Sequence, residues 1–325
     1  MALLQVDNLT VEFAIPGGSV KALDNFSLRV DAGSYHGIIG ESGSGKSIAM
    51  LAIMGLLPTT ATITADQLAL KGRSILDMST TERRNTLYQD VSIIFQEPHN
   101  SLNPSFKIKS QIDETLKAHG YNNRKKRTQR TRELLSDVGL VHIDSILDSY
   151  PHQLTAGILQ RIMIAIALAC EPDLLIADEP TASLDPFEQG QITELLTTLV
   201  RERNMAMVLI AHDLRLMREQ TDYVTIMYCG QIVESGSKNI IFEQAKHPYT
   251  HSILASEPSN WNIPFKSKVP SLKGATPSLQ HLPVGCYLGP RCPYAEAHCV
   301  QAPEPIYEKE HMTRCHFAGS IKYDR

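Results

Sequence analysis

Hydrophobic and polar positions follow one rhythm near the start of this chain, a second in its middle, and the first again later. Residues 9–13 and 27–30 are short alternating runs that predict strands, and residues 35–39 predict an apolar strand leading straight into a glycine and serine loop. Residues 48–57 are apolar on nearly every side, which predicts a buried helix, and residues 91–95 predict another strand. From about residue 100 to 161 polar helical segments dominate. Apolar runs then return: a helix over 162–169, a strand over 173–177 ending in carboxylates, an amphipathic helix over 187–203 and a buried strand over 206–211. Continuous apolar strands separated by helices are the pattern of a parallel sheet covered on both faces. Residues 223–228 and 232–234, parted by Cys229-Gly230-Gln231, predict a hairpin. Beyond about residue 236 the pattern weakens, and nine of the 18 prolines fall between Pro258 and Pro305, so the tail is expected to be rich in loops. There is no internal repeat and no low-complexity tract.

Composition narrows the class. With 325 residues, 42% hydrophobic and 20% charged, the chain can bury a sizeable core without staples. A formal net charge of −4 gives no global basic field, so nucleic acid is not an expected partner. The basic run Arg124 to Arg127 reads as a solvated helix face, and Met50, Met54, Met163 and Met207 as core fillers. The first residues lack the basic and apolar segments of a signal peptide. The apolar runs 48–57 and 162–170 fall short of the roughly 20 residues a spanning helix needs. The expected location is therefore cytoplasmic, with any membrane role supplied by a partner.

The chemistry begins at Gly40-Glu41-Ser42-Gly43-Ser44-Gly45-Lys46-Ser47, which fits the phosphate-loop pattern G-x4-G-K-[ST]. Its glycines let backbone N–H groups turn inward around phosphate oxygens. Lys46 would reach the β- and γ-phosphates of ATP and the Ser47 hydroxyl would bind Mg²⁺, while the following helix aims its positive end at the same anion. A second element, Leu174 to Glu179, is an apolar strand that ends in two acids, where open α/β sheets place their ligands. Asp178 would hold Mg²⁺, directly or through water, and Glu179 would orient and deprotonate the attacking water.

Taken together, residues 1–255 resemble the ATP-binding subunit of an ABC transporter. The resemblance implies an α/β P-loop NTPase core with an antiparallel β-subdomain and an inserted helical subdomain at about 100–165. It implies that Gln96, in Ile93-Ile94-Phe95-Gln96, senses Mg²⁺ and the attacking water and couples to the membrane subunit. It makes His212 the switch histidine on the γ-phosphate, Ala182-Ser183-Leu184-Asp185 the D-loop, and Phe13, at the end of the first strand, the aromatic that stacks on adenine. Thr155, Ala156 and Gly157 lie where the family has its signature. The family pattern there is Leu-Ser-Gly-Gly; this chain has Leu154-Thr155-Ala156-Gly157, which keeps a hydroxyl donor but adds a Cβ where glycine is expected. Two such domains dimerise head to tail in the family, so the departure suggests a heterodimer with one normal and one slower ATP site.

Cys170 and Cys229 are isolated in apolar surroundings and read as inert core residues. Cys286, Cys292, Cys299 and Cys315 crowd the tail as Cys-x5-Cys-x6-Cys-x15-Cys. No pair is as close as structural zinc sites usually place them, so an iron–sulfur cluster suits the spacing better than Zn²⁺. His298 and His316 neighbour these thiols and rank below them as ligands. His247-Pro248-Tyr249-Thr250 and Gly289-Pro290-Arg291-Cys292-Pro293-Tyr294 resemble the C-terminal extension, here residues 256–325, of dipeptide/oligopeptide importer ATPases of the DppD, OppD and SapD type. That resemblance implies a [4Fe–4S] cluster on the four cysteines. It also implies a second ABC ATPase subunit, two transmembrane permease subunits and a periplasmic or extracellular substrate-binding protein, on the cytoplasmic face of the inner membrane. The expected activity is ATP hydrolysis driving peptide import. The alternatives are a soluble ABC ATPase acting on nucleic acid or ribosomes, an importer subunit for nickel or haem, and an iron–sulfur redox protein with a regulatory nucleotide site.

Overall fold

A computed structural model describes residues 2–257 and 272–321 of the chain. They form two compact units. The first comprises Asp31–Ser34 and Asp77–Ile210, and the second Ala2–Val30, Tyr35–Leu76 and the chain from Ala211 onward.

The second unit opens with two long strands, β1 (Ala2–Ile15) and β2 (Gly18–Asp31). Both run further than their alternation predicts. In β1 the buried positions are Leu3, Leu4 and Val6, then Leu9 and Val11; in β2 they are Ala22 and Leu23, then Phe26, Leu28 and Val30. Alternation slips at Asn8 and Asn25, whose φ angles of 51° and 53° lie in the left-handed region that asparagine tolerates. Each slip is pinned across the pair: Asn8 N–H donates to Ser27 Oγ (3.0 Å) and Asn25 N–H to Thr10 Oγ1 (3.2 Å). The strands therefore continue through a kink that flips the buried face.

Strand β3 (Tyr35–Gly40) is buried along its whole length and feeds the helix α1 (Lys46–Met54), which Gly55 ends in a left-handed cap at φ 69°. Three short strands follow: β4 (Ala61–Thr64), β5 (Gln67–Leu70) and β6 (Arg73–Ser74). β4 and β5 both pair antiparallel with β1, and β6 pairs with β5, completing an antiparallel sheet with β2.

The first unit holds α2 (Thr80–Asp90), β7 (Val91–Ile94), α3 (Pro98–Ser101), α4 (Ile108–Ala118), α5 (Arg124–Asp137), α6 (Ile143–Asp148), α7 (Ala156–Ala167), β8 (Leu174–Asp178), α8 (Pro186–Glu202) and β9 (Ala206–Ile210). Polar α2 starts at a reciprocal cap between Ser79 and Glu82. Helix α4 buries Ile108, Ile112 and Leu116 on a single face. The basic run opens α5; Arg124 to Lys126 are exposed, as expected of a solvated face, whereas Arg127 donates to Asp113 at 2.6 Å. Strands β7, β8 and β9 are parallel in that order, and β8 and β9 are buried throughout.

The chain then returns to the second unit with α9 (Leu214–Gln220), β10 (Tyr223–Tyr228), β11 (Gln231–Ser237), α10 (Lys238–Glu243), α11 (Pro248–Ala255) and the small hairpin β12 (Ile306–Glu308) and β13 (His311–Thr313). β10 lies parallel to β3 and antiparallel to β11, and the β12–β13 hairpin adds to the other edge of β11. Part of the tail is thus sheet rather than loop. It is fastened by buried Glu234, which accepts from Lys246 N–H (2.6 Å), His247 N–H (3.2 Å) and His311 Nε2 (2.7 Å). Among the described residues no helix is long and apolar enough to cross a membrane.

Candidate functional site

The loop from Gly40 to Ser47 bridges β3 and α1, as its sequence requires. Gly43 (φ 77°) and Gly45 (φ 100°) take left-handed conformations, and Gly45 caps α1. Gly40 is needed for a different reason: a Cβ there would lie 2.4 Å from the Met227 carbonyl oxygen and 2.7 Å from Ser44 Oγ. Ser44 and Lys46 are buried, and Ser44 Oγ has no hydrogen-bond partner among the described residues. Lys46 Nζ lies back along the loop, donating to the carbonyls of Gly40 (2.8 Å) and Glu41 (3.0 Å). Ser47 and Ser42 are exposed. A buried ammonium, an orphaned hydroxyl and a helix N-terminus converging on one loop suit a polyanion such as a triphosphate.

Glu41 is the acid in this loop. Its carboxylate receives two bonds from the Arg291 guanidinium, Nη1 to Oε2 at 2.9 Å and Nη2 to Oε1 at 3.1 Å, and a further bond from Thr276 Oγ1. Its N–H donates to Tyr249 Oη at 2.9 Å. Burial works to raise the Glu41 pKa, but the bonds from Arg291 and Thr276 and the charges of Arg291 and Lys46 outweigh it, and the carboxyl sits below its ordinary value. Arg291 also donates to Tyr228 Oη (3.2 Å), and the Tyr228 ring packs against that of Tyr249 at 4.7 Å.

The first unit brings two other predicted residues together. Asp178, buried, ends β8, and Glu179 follows with φ 48°, a left-handed conformation that costs a non-glycine residue on the order of 1 kcal/mol. Its N–H donates to Ile210 O (2.9 Å), which holds the turn, and its Oε2 accepts from Gln96 Nε2 at 2.8 Å. Gln96 itself is exposed, just beyond the end of β7. In the same unit Thr155 caps α7, accepting from Ile158 N–H at 3.4 Å, and Asp185 caps α8, accepting from Phe187 N–H (2.9 Å) and Glu188 N–H (3.0 Å). Ala156 is the first residue of α7, outside the left-handed region, so its own backbone does not require glycine. At Gly157 a Cβ would meet Glu188 Oε1 at 2.5 Å, so that carboxylate, at the end of a flexible side chain, would have to swing aside.

His212 is exposed in the second unit, ahead of α9. Phe13 is half-buried and lies within β1 opposite Ala61, not at the strand's end as expected, because the strand continues to Ile15.

The four tail cysteines line a single small cavity with Leu288 and Phe317. Burial pushes the Cys286, Cys292 and Cys315 thiols up, Cys315 to about 11, and the neighbouring thiols push the same way. Backbone hydrogen bonds from Leu288, Tyr294 and Phe317 to these sulfurs act in the opposite sense. His316 lines the cavity, and the His298 ring meets the His316 ring edge-to-face, centroids 4.2 Å apart. Among the described residues no three His, Cys, Asp or Glu side chains are arranged to hold a single metal ion. Cys229 is buried and Cys170 half-buried, the latter 3.0 Å from Ser92 Oγ.

These features have counterparts in known proteins. The family model described as "ABC transporter" matches residues 23–182, and "Oligopeptide/dipeptide transporter, C-terminal region" matches residues 233–299. The dipeptide transport ATP-binding protein DppD of Escherichia coli (strain K12) is 44% identical over 320 residues, 98% of this chain and 97% of its own. This chain belongs to the ABC transporter ATPases of the dipeptide/oligopeptide type. The peptide transport system ATP-binding protein SapD of Salmonella typhimurium is 41% identical over 323 residues, 98% of each chain. Solved ABC structures share the fold: the ATP-binding cassette MJ0796 bound to ADP and Pi has a TM-score of 0.64 at 24% identity, covering 72% of this chain and 98% of its own. The cbiO1 protein of Clostridium perfringens, part of an ABC transporter complex, has a TM-score of 0.62 at 26% identity, covering 75% of this chain and 91% of its own.

For this ABC ATPase, reading the sequence alone missed the partners of Glu41. Arg291 and Tyr249 stand in segments that carry the family resemblance, yet nothing local assigns them a role. The available signal is chemical: an acid inside a loop built for phosphate needs a countercharge.

Proposed function

We propose that this chain is the ATP-hydrolysing motor subunit of a peptide importer, bound peripherally at the cytoplasmic face of the inner membrane. Residues 1–255 form the nucleotide-binding domain, with its helical part at about 100–165, and residues 256–325 the extension. The loop Gly40 to Ser47 grips the triphosphate, with Lys46 on the β- and γ-phosphates. Ser47, Gln96 and Asp178 hold Mg²⁺, which supplies charge neutralisation on the phosphoryl oxygens. Glu179 orients the attacking water and takes its proton, His212 contacts the γ-phosphate and Phe13 stacks on adenine. Thr155, Ala156, Gly157 and Asp185 face the second ATPase subunit, and two permease subunits and a substrate-binding protein complete the importer. The peptide cargo follows the transport proteins to which the whole chain is similar.

The observation that carries the hydrolytic reading is the strained Glu179, aimed by its turn at the Gln96 amide 2.8 Å away. In the assembled complex, Glu179→Gln is expected to cut turnover by at least about 10²-fold while ATP still binds. Undiminished turnover refutes the role. The matching change in the partner subunit is expected to cost less, because that site faces this chain's departed signature; equal losses refute the asymmetry.

Four thiols around one cavity, with backbone hydrogen bonds to the sulfurs of Cys286, Cys292 and Cys315, are a donor set that suits a [4Fe–4S] cluster, with Zn²⁺ as the alternative. Its role is to order the tail. Anaerobic purification with absorption spectroscopy and iron and zinc analysis tests this, and a metal-free, fully folded tail refutes it.

A further inference from the structure

The phosphate loop carries a carboxylate one residue after Gly40. A polyanion approaching that loop meets Lys46, which attracts it, and Glu41, which repels it. The repulsion is cancelled from far along the sequence: Arg291 pairs with both Glu41 oxygens at 2.9 and 3.1 Å, with a side chain only 8% exposed. Arg291 is itself fixed, donating to Tyr228 Oη at 3.2 Å and, through Nε, to Lys273 O at 3.3 Å. The residue after it is Cys292, so the same stretch of backbone carries the guanidinium and a thiol of the four-cysteine cavity. On the other side Tyr249 Oη takes the Glu41 N–H at 2.9 Å, leaving the loop's inward donors to the residues beyond.

We propose that Arg291 is a positioning residue of the ATP site: it neutralises Glu41 and ties the loop to the cysteine-bearing tail, and thereby sets the affinity for a nucleoside triphosphate. The inference rests on reading Gly40 to Ser47 as the triphosphate site. Arg291 need not touch the nucleotide; it acts through Glu41, and the whole arrangement lies inside one compact unit.

The test is equilibrium binding of MgATP to the full chain, with melting temperature and absorbance of the tail site followed in parallel. Arg291→Gln leaves a carboxylate without its countercharge and is expected to weaken ATP binding about tenfold. Arg291→Lys keeps the charge and is expected to lose less. The double variant Glu41→Gln with Arg291→Gln removes both charges and is expected to return to within about threefold of the unaltered chain. A purely architectural role predicts the reverse, with the double variant at least as weak as the single one, and that result overturns the proposal. ATP binding unchanged in Arg291→Gln also overturns it. Should Arg291→Gln fail to fold, Glu41→Gln decides: with the acid gone and the guanidinium kept, ATP must bind at least as tightly as before, and weaker binding overturns the idea. An unaltered chain that ignores ATP would instead sink the nucleotide reading, and this inference with it.

Discussion

Replacing Gly40 by alanine separates the motif's chemistry from its geometry. Gly40 stands opposite Met227 in the parallel β3–β10 register, and an added Cβ would come within 2.4 Å of the Met227 carbonyl oxygen. Carbon–oxygen contacts between strands settle at about 3.3–3.6 Å, so roughly 1 Å must be found. Ser44 Oγ, the other neighbour at 2.7 Å, can rotate away. The Met227 carbonyl cannot, because Met227 also pairs with Ile232 of β11. The strand that feeds the phosphate loop has to shift. Overpacking of this kind costs about 1–3 kcal/mol, a fall of several degrees in melting temperature at about 2–4 °C per kcal/mol. A displacement of about 1 Å at a catalytic loop costs on the order of 10²-fold in rate. Gly43→Ala is the control. Its Cβ meets nothing within 4 Å, and its φ of 77° carries only the left-handed penalty, about 1–2 kcal/mol. Melting temperature, MgATP affinity and turnover of the assembled complex are measured for both. Gly40→Ala is expected to lose turnover far more than Gly43→Ala; equal behaviour, or a Gly40→Ala chain indistinguishable from the original, refutes the reasoning.

Burial lowers the pKa of His36 and His247 from 6.5 to about 4. The unfolded chain therefore takes up these protons first, so their contribution is fully present above about pH 6.5 and is lost as pH falls toward 4, up to about 3 kcal/mol each. Melting temperature should drop across that window, and His36→Gln should flatten the slope; an unchanged slope counts against burial as its cause. Glu234→Gln removes the charge and sets an amide N–H against at least one of three donors in a buried site and is expected to destabilise the chain by about 3 kcal/mol in urea unfolding; a loss under about 0.5 kcal/mol refutes the fastening role. Stripping the metal proposed for the four-cysteine site is expected to weaken MgATP binding in the unaltered chain and to have no such effect in the Glu41→Gln, Arg291→Gln double variant. A double variant as sensitive as the original rules out Arg291 as the link.

The parallel strands and the chemistry of the phosphate loop were legible because each is continuous in sequence: β9 is wholly apolar, β8 is apolar up to its terminal Asp178, β3 is interrupted only by His36, and the loop is eight consecutive residues. The antiparallel strands were cut short because alternation breaks at Asn8 and Asn25, where a flip of the buried face mimics a strand boundary. Helix α7 was expected to begin too late, since its first turn holds Ala156 and Gly157 directly after the cap at Thr155 and lacks the apolar run that marks the rest. Helix α2 did leave a trace, Ser79-x-x-Glu82, but its polar composition offers no apolar stripe. The grip on Glu41 was out of reach, because Arg291 is 250 positions away and only the folded chain brings it near.

The hairpin of β12 and β13 changes what it would mean to shorten this protein. It occupies the outer edge of β11, pairing Thr313 with Glu234 and Met312 with Ser235. A chain ended before it would bare a strand two places from β3, inviting another copy to zip alongside. Trimming the extension to isolate a minimal cassette should therefore yield aggregates in place of a tidy domain.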